Sequence, residues 1–196
     1  MIDVCILGAG GHGRDVRSII NDSADYNFVG FYDDDVSKDT LGTIDDFIKT
    51  TNLAYVIGVN SSTVRQAIDR RIPSNFLAAT VVHPSAYVGD DCQIAEGVVI
   101  AAGVVITTEV SIGRHSHINV NATVSQNSFI DAFVTISPGS NVCGDCVIGS
   151  NTMLGAGSTV INLMRVGNNV IIGAGATVIS NIPSDSKAVG TPARLL

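Results

Sequence analysis

The sequence has no tryptophan, and aromatic residues make up only 5% of its 196 positions. Leucine is also scarce, with 8 residues against 47 isoleucines and valines together, and only 15% of the chain is charged. β-Branched residues are better suited to strands than to helices. The composition therefore excludes an all-helical bundle and, with 20 glycines, predicts a protein of strands and turns.

Positive charge is scarce as well, because 11 Lys and Arg stand against 18 Asp and Glu, for a net charge of -7. Binding to a nucleic acid backbone or an anionic membrane needs a basic surface, so neither partner is expected. Apolar runs are broken by Gly, Asp or Asn long before the roughly 18 residues of a membrane span. Residues 1–7 lack the basic region of a secretory signal, and we expect a soluble, cytoplasmic protein.

The four cysteines are expected to be reduced thiols in that compartment. Cys143 and Cys146 form a CxxC, but the sequence has no second CxxC and no histidine pair nearby. Zinc sites need such a second pair of ligands, so no metal site is predicted and the cysteines are expected to be structural.

The second half of the chain is an internal repeat with an aliphatic residue at every sixth position. A small or compact residue often follows four positions later, as at Cys92 and Cys146. This pattern is the hexapeptide repeat of a parallel β-helix, in which three repeats form one triangular coil and coils stack about 4.8 Å apart. The aliphatic positions are Val82, Val88, Ile94, Ile100, Ile106, Ile112, Ile118, Val124, Ile130, Ile136, Val142, Ile148, Leu154, Val160, Val166, Ile172 and Val178.

The first half alternates short apolar strands with helix-like segments, which predicts βαβ units and a parallel sheet. We therefore divide the chain into an α/β half-Rossmann domain over residues 1–80 and a β-helix over residues 81–196. The predicted strands are Asp3–Leu7, Phe28–Tyr32 and Ala54–Val59, and the predicted helices are Arg14–Asn21, Ile44–Thr50 and Thr63–Arg70.

A glycine loop, GAGGHG at residues 8–13, follows the first strand and matches the phosphate-binding pattern GxGxxG. The pattern alone suggests NAD, but 80 residues supply only half of the doubly wound sheet that a dinucleotide spans. We therefore favour the diphosphate of a nucleotide-linked substrate, bound by Gly10, Gly11 and His12. The carboxylates of Asp33 and Asp34, after the second strand, are candidates for the ribose or base. For His12 the alternative is a helix-start side chain that faces solvent.

Three segments in this order resemble the bacterial hexapeptide-repeat sugar acetyltransferases, a family of sialic-acid O-acetyltransferases and N-acetyltransferases of UDP-linked 4-amino sugars. They are the glycine loop, VVHPSA at residues 81–86 and VGTPAR at residues 189–194. The resemblance implies a left-handed parallel β-helix, a homotrimer and acetyl-CoA as co-substrate in the groove between β-helices. It also implies a nucleotide-activated sugar, for polysaccharide biosynthesis, on the N-terminal domain.

The family's catalytic coil aligns with residues 119–139, in a register fixed by Asn119, Phe133 and Pro138. Gln126 stands where the family has a general-base histidine, Asn127 where it has an orienting carboxylate, and Thr135 where a second histidine contacts acetyl-CoA. An amide cannot accept a proton near neutral pH, so Gln126 could orient a nucleophile but not activate it.

His117 is the candidate substitute base, because it lies one coil before Thr135. The alternative places His115 and His117 as exposed side chains on a polar coil edge. Asp131 is a further candidate.

The resemblance further implies that the acetyl-CoA site includes Asn119, Thr135, Gly144, Gly155, Gly173 and Pro192. The expected function is acetyl transfer from acetyl-CoA to a nucleotide-linked amino sugar or a sugar hydroxyl. The alternative is a non-catalytic trimeric module that binds nucleotide sugar or CoA, which the loss of the histidine and the acid favours.

Overall fold

A computed structural model describes residues 1–50 and 53–196. The first part of the chain is a parallel three-stranded sheet with three helices, as the alternating pattern predicted. The strands are β1 (Ile2–Leu7), β2 (Tyr26–Tyr32) and β3 (Ala54–Ile57), and the helices are α1 (Gly11–Asp22), α2 (Ile44–Thr50) and α3 (Ser62–Asp69). β1 lies in the middle of the sheet and pairs in parallel with β2 and with β3.

The central strand β1 is apolar and buried from Val4 to Leu7 because both faces of the sheet are covered there. Val4 and Ile6 pack on one face, in a hydrophobic cluster that includes α1 and the β-helix. Cys5 and Leu7 pack on the other face, around Phe47 of α2. The sheet is therefore held between the β-helix on one side and α2 and α3 on the other.

α1 begins at Gly11, three residues before the predicted start at Arg14. The first helical turn lies against the end of β1, and a Cβ on Gly13 would come within 2.0 Å of the carbonyl oxygen of Gly8. Only glycine permits this approach. The second half of the glycine loop is therefore the first turn of the helix.

The second part of the chain is a β-helix of two-residue strands, and each of the seventeen ends at one of the predicted aliphatic positions. The strands are β4 (Val81–Val82), β5 (Tyr87–Val88), β6 (Gln93–Ile94), β7 (Val99–Ile100), β8 (Val105–Ile106), β9 (Ser111–Ile112), β10 (His117–Ile118), β11 (Thr123–Val124), β12 (Phe129–Ile130), β13 (Thr135–Ile136), β14 (Asn141–Val142), β15 (Val147–Ile148), β16 (Met153–Leu154), β17 (Thr159–Val160), β18 (Arg165–Val166), β19 (Ile171–Ile172) and β20 (Thr177–Val178).

Every third strand stacks on the one before it, which produces three parallel sheets. We call them face 1 (β4, β7, β10, β13, β16, β19), face 2 (β5, β8, β11, β14, β17, β20) and face 3 (β6, β9, β12, β15, β18). Residues 18 apart are partners, as in the pairing of His117 with Thr135 and of Ile118 with Ile136. The hexapeptide prediction of a parallel β-helix is confirmed.

The corners between faces take left-handed backbone at six-residue intervals, three positions after each aliphatic from Val88 to Ile172. Glycine occupies some of them, such as Gly139 with φ of 68°. Elsewhere the residue is often Asn or Asp, whose short polar side chains tolerate this conformation. The non-glycine positions with positive φ are Asp91, Glu109, His115, Asn121, Asn127, Phe133, Asp145, Asn151, Leu163, Asn169 and Asp185.

The small residue that follows each corner points inside, where thiols and hydroxyls bond to the next coil. The Cys92 thiol donates to the carbonyl of Thr107 at 2.9 Å, and that of Cys146 to the carbonyl of Ile161 at 3.1 Å. Ser116 makes the equivalent bond to Asp131. All four cysteines are free thiols.

The final coil is closed by the C-terminal tail. β21 (Lys187–Val189) continues face 1, and β22 (Arg194–Leu195) pairs with it in the antiparallel direction. Within the two described ranges, no helix combines the length and the apolar character needed to cross a bilayer.

Candidate functional site

The amino end of α1 offers open backbone. Gly10 caps the helix with extended geometry, and a Cβ on it would meet no atom within 4 Å. A Cβ on Gly11 would meet only the guanidinium of Arg14, at 3.9 Å. The first amides of a helix have no partner within it and favour anions. The loop therefore presents free space and amide donors at one point, as a phosphate site requires.

Asp33, predicted to bind ribose or base, instead fixes the glycine loop. Its carboxylate accepts from the amide of Ala9 at 2.7 Å, from Lys38 at 2.8 Å and from the amide of Asp35 at 2.9 Å. Burial opposes ionisation, but these hydrogen bonds outweigh it and hold the pKa of Asp33 below its ordinary value. Both oxygens of Asp33 therefore hold the loop and its neighbours, and the assignment of Asp33 to the ribose or base stays a prediction.

Asp34 was assigned to the same ligand, and the structure places it in an ion pair. Arg71 binds its carboxylate at 2.5 Å, and the amide of Ile44 donates to it at 3.1 Å. The hydrogen bond from Arg71 lowers the pKa of Asp34. Arg71 thus holds the group, and the assignment of Asp34 to the ribose or base stays a prediction.

A cluster of cations beside the glycine loop was missed by the sequence analysis. Arg14, Arg17 and Lys38 line a cavity of about 310 Å³ together with Ala9, Phe31 and Asp39. We call it the basic cavity. The guanidinium of Arg17 lies 5.8 Å from the centre of the Phe31 ring. Three of the chain's 11 basic residues therefore meet at one helix end. The signal in the sequence was the spacing of Arg14 and Arg17 on one helix face.

His12 turns toward the β-helix and not toward solvent, so the solvent-facing alternative is wrong. Its Nε2 lies 2.8 Å from Nδ1 of His117, and the two rings are stacked with their centres 4.9 Å apart. Burial, followed by the charge of Arg65, lowers the pKa of His12, and Asp15 opposes this effect. The pair joins the first turn of α1 to face 1.

His12 also lines a second cavity, of about 270 Å³, between α1 and the β-helix. We call it the interdomain cavity. Its other residues are Asp15, Val16, Ser18, Ile19, Asp22, His83, Val99, Ala101, Ala102, Asn119, Val120 and Pro138. Asn119, predicted to contact acetyl-CoA, lines this cavity, and its side-chain amide donates to the carbonyl of Ile136 at 2.9 Å. Its role at the cofactor stays a prediction. The two cavities flank the first turn of α1.

The histidines of the β-helix are both buried, so the expectation of exposed side chains at a polar edge is wrong. His115 stacks between Tyr55 and Phe133, and its Nε2 lies 3.0 Å from the carboxylate of Asp69. Burial lowers the pKa of His115 to about 4, although Asp69 acts in the opposite direction. His117 is fully covered, and burial lowers its pKa well below the ordinary value. Its Nε2 has no hydrogen-bond partner among the described residues.

Thr135 is buried against Arg65, and its assignment to acetyl-CoA stays a prediction. Its hydroxyl accepts from Arg65 at 2.9 Å and donates to the carbonyl of Asn60 at 3.2 Å. Arg65 is fully buried between α3 and face 1, where it makes six hydrogen bonds to carbonyl or hydroxyl oxygens. Burial lowers the pKa of Arg65 to about 9.

Gln126 and Asn127 lie on the corner between faces 2 and 3, exposed to solvent. Gln126 lies across Gly144, where a Cβ would come within 2.4 Å of its Nε2. Asn127 has left-handed backbone and donates to Asp145 at 3.0 Å. His117, nine residues before Gln126, lies half a coil away. One chain therefore does not bring the three predicted catalytic residues together.

Two family models match the chain. The PglD N-terminal domain covers residues 3–72, and the bacterial transferase hexapeptide repeat covers residues 127–162. Together they account for both parts of the fold and for the glycine loop. The chain belongs to the hexapeptide-repeat sugar acetyltransferases of the PglD type.

Curated relatives in this family act on nucleotide sugars. GDP-perosamine N-acetyltransferase of Escherichia coli O157:H7 is 29% identical over 165 residues, which cover 77% of this chain and 74% of that protein. UDP-N-acetylbacillosamine N-acetyltransferase of Bacillus subtilis (strain 168) is 31% identical over 113 residues, 51% of each chain.

Solved acetyltransferase structures share the whole fold. A variant of perosamine N-acetyltransferase from Caulobacter crescentus, in complex with CoA and GDP-perosamine, superposes with a TM-score of 0.93 at 27% identity, covering 99% of this chain and 96% of that one. The acetyltransferase domain of PglB from Neisseria gonorrhoeae FA1090, in complex with acetyl coenzyme A, gives 0.93 at 28% identity, covering 99% and 98%.

Two of the glycines predicted to contact acetyl-CoA have backbone amides that form hydrogen bonds within the β-helix. The amide of Gly155 donates to the carbonyl of Ile172 at 2.8 Å, and that of Gly173 to the carbonyl of Ala188 at 2.9 Å. Their amides are thus unavailable to a thioester oxygen. In contrast, the Gly144 amide donates to no acceptor within the described ranges. Pro192 lies exposed in the C-terminal tail.

Proposed function

We propose that this acetyltransferase transfers the acetyl group of acetyl-CoA to the amino group of a nucleotide-linked amino sugar. The observation that carries the proposal is the placement of the basic cavity and the interdomain cavity on either side of the first turn of α1. A nucleoside diphosphate sugar has its negative charge in the middle and neutral or cationic groups at its ends. Similarity to GDP-perosamine N-acetyltransferase and to UDP-N-acetylbacillosamine N-acetyltransferase supports the same substrate class.

In this proposal the diphosphate binds at the amides of Gly10 and Gly11, with Arg14 and Lys38 as counter-charges. Lys38 is already held at the loop by Asp33, 2.8 Å away. Phe31 and Arg17 line the cavity farther along and offer a flat apolar surface with a cation over it, which suits a nucleobase. The sugar then extends into the interdomain cavity.

Acetyl-CoA fits a strip of glycine corners that begins beside this cavity. Gly139, Gly157 and Gly175 stack 18 residues apart with positive φ, and a Cβ on any of them would enter open space. Pro138, which precedes the strip, lines the interdomain cavity. At its far end Thr191 donates to the carbonyl of Gly175 at 3.1 Å, which brings the Pro192 tail alongside. A narrow pantetheine arm suits such a strip.

The amine is the expected nucleophile because Gln126 cannot act as a base. A neutral amine attacks a thioester without further activation, whereas a hydroxyl needs its proton removed. Holding the two substrates in adjacent sites supplies much of the remaining rate. The substitution at Gln126 therefore favours N-acetylation over O-acetylation.

The test is a spectrophotometric assay of free CoA, with GDP-, UDP- and dTDP-linked 4-amino sugars as acceptors and mass analysis of the product. We expect one acceptor to gain 42 Da, the mass that acetylation adds, with release of one thiol per acetyl group. The matching 4-hydroxy sugar serves as the control. Binding of both substrates without thiol release would instead support a non-catalytic binding module, which the amide of Gln126 favours.

We also propose that the chain is a homotrimer. Apolar side chains lie exposed on the outside of the coils, including Val105, Val120 and Phe129 at 39%, 45% and 46%. Such surfaces are commonly buried between subunits. Light scattering at micromolar concentration should give three times the 20.3 kDa chain mass, and a stable species of one chain mass would contradict the proposal.

A further inference from the structure

If the function is as proposed, some group must remove a proton from the acceptor amine, and no side chain has yet been assigned to this step. A sugar amine is largely an ammonium ion near neutral pH, and only its neutral form attacks a thioester. Gln126, at the position where the family resemblance places a base, carries an amide that cannot accept the proton. The proton must therefore be accepted by another side chain in contact with the bound sugar, or by solvent.

Histidines are concentrated at the junction of α1 and the β-helix. His12 and His117 form a stacked pair with nitrogens 2.8 Å apart, and His83 lines the same cavity and lies 3.2 Å from Asp22. Of the paired imidazoles, only His12 lines the interdomain cavity, since His117 has no exposed surface. A molecule in that cavity can therefore reach His12 and cannot reach His117.

The surroundings of His12 suit a cationic amine. Asp15 and Asp22 line the same cavity and attract an ammonium group, while the cations of the basic cavity lie on the other side of α1. Arg65 and His117 face the imidazole from α3 and face 1. Burial, followed by the charge of Arg65, keeps the pKa of His12 below its ordinary value, although Asp15 acts in the opposite direction. The ring is therefore neutral near pH 7 and has a lone pair to offer.

We propose that His12 is the proton acceptor of the acetyl transfer, and that His117 is the positioning residue that holds its ring. His12 takes one proton from the ammonium group, and the neutral amine then attacks the thioester carbonyl carbon. A C–N bond forms, the C–S bond breaks, and the nitrogen's second proton goes to the departing CoA thiolate. His12 afterwards releases its proton to solvent. One acetyl-CoA and one ammonium give one amide, one CoA thiol and one proton.

The decisive variants are His12→Gln, which keeps a hydrogen-bonding side chain beside His117, and His12→Ala, which leaves space for added imidazole. We expect His12→Gln to lower kcat about 10²-fold or more, with KM for acetyl-CoA unchanged. Imidazole should restore turnover in His12→Ala in a dose-dependent way and have no effect on the unmodified enzyme. Asn21→Gln, near the other end of α1 and outside both cavities, should leave kcat unchanged.

His117→Asn tests positioning. It should lower kcat less than His12→Gln does, and it should shift the acidic limb of the kcat profile because His12 loses the ring nitrogen that lies 2.8 Å from its Nε2. A merely structural histidine would change stability without moving that limb.

Failure of the His12 assignment can be distinguished from failure of the proposed function. An active unmodified protein whose His12→Gln variant keeps kcat within twofold, or whose His12→Ala variant is not rescued by imidazole, would overturn the assignment of His12 and leave the proposed function intact. A protein that acetylates no nucleotide amino sugar would overturn the proposed function and this assignment with it.

Discussion

At the scale of single residues, two glycines of the glycine loop, Gly11 and Gly13, have different surroundings. Gly13 packs against backbone, with room for no side chain, whereas Gly11 borders open space beside Arg14. Folding therefore needs glycine at position 13, whereas we propose that anion binding needs it at position 11. The motif alone gives no means of separating them.

Replacement of these glycines should separate the two effects. Gly13→Ala forces a Cβ against the carbonyl of Gly8 and should lower the free energy of unfolding by about 2 kcal/mol or more. Gly11→Val should change the free energy of unfolding by less than about 0.5 kcal/mol, because valine is no poorer a helix former than glycine, yet it should abolish binding of a nucleoside diphosphate. Urea unfolding and titration calorimetry measure the two quantities. Unchanged nucleotide affinity in Gly11→Val would remove the phosphate site from this loop.

At the scale of elements, Arg65 joins α3 to the β-helix. Its guanidinium donates to carbonyls before α3 (Val59, Asn60) and on the coils (His115, Phe133, Val134). A buried carbonyl left without its donor costs about 1–3 kcal/mol. Arg65 therefore helps to fix the orientation of the two parts of the chain, together with the His12–His117 pair and the shared hydrophobic cluster.

Arg65→Met should lower the free energy of unfolding by about 3 kcal/mol or more, because several buried carbonyls lose their donor at once. Arg70→Met, five residues on and exposed, should change it by less than about 0.5 kcal/mol. Denaturant unfolding followed by circular dichroism gives both values. Equal stability of the two variants would show that Arg65 does not join the parts.

The elements themselves were predictable, while their contacts were not. The β-helix followed from a fixed period, since each six-residue unit meets the same neighbours one coil away. The partners of Asp33 (Lys38 and Ala9) and of Thr135 (Arg65 and Asn60) were not predicted, because no local sequence pattern shows which segments come together on folding. The burial of His117 has the same origin, since α1 and α3 cover face 1 only after folding.

At the scale of the whole molecule, buried histidines link stability to pH. In the folded chain the pKa of His115 lies at about 4 and those of His12 and His117 are lowered, against an ordinary value of 6.5. Between these values the unfolded chain binds protons that the folded chain does not. Stability is therefore complete above about pH 6.5 and is lost as the pH falls toward 4.

The expected loss from His115 alone is on the order of 3 kcal/mol between pH 7 and pH 4. Asp69, Arg114 and Arg65 are the charged groups that act on this imidazole. Urea unfolding at pH 7, 6 and 5 should show a steady fall, with a shallower slope in His115→Gln. A free energy of unfolding that stays constant over this range would contradict the burial of neutral histidines.

The central claim is that one nucleotide amino sugar binds across the first turn of α1, with its amine in the interdomain cavity. A crystal structure with CoA and the 4-amino sugar nucleotide tests it most directly. We predict diphosphate oxygens at the Gly11 amide and Lys38, and the amine nitrogen within about 3.5 Å of His12. An amine beside Gln126 of the same or a neighbouring copy, with His12 distant from the sugar, would contradict the account.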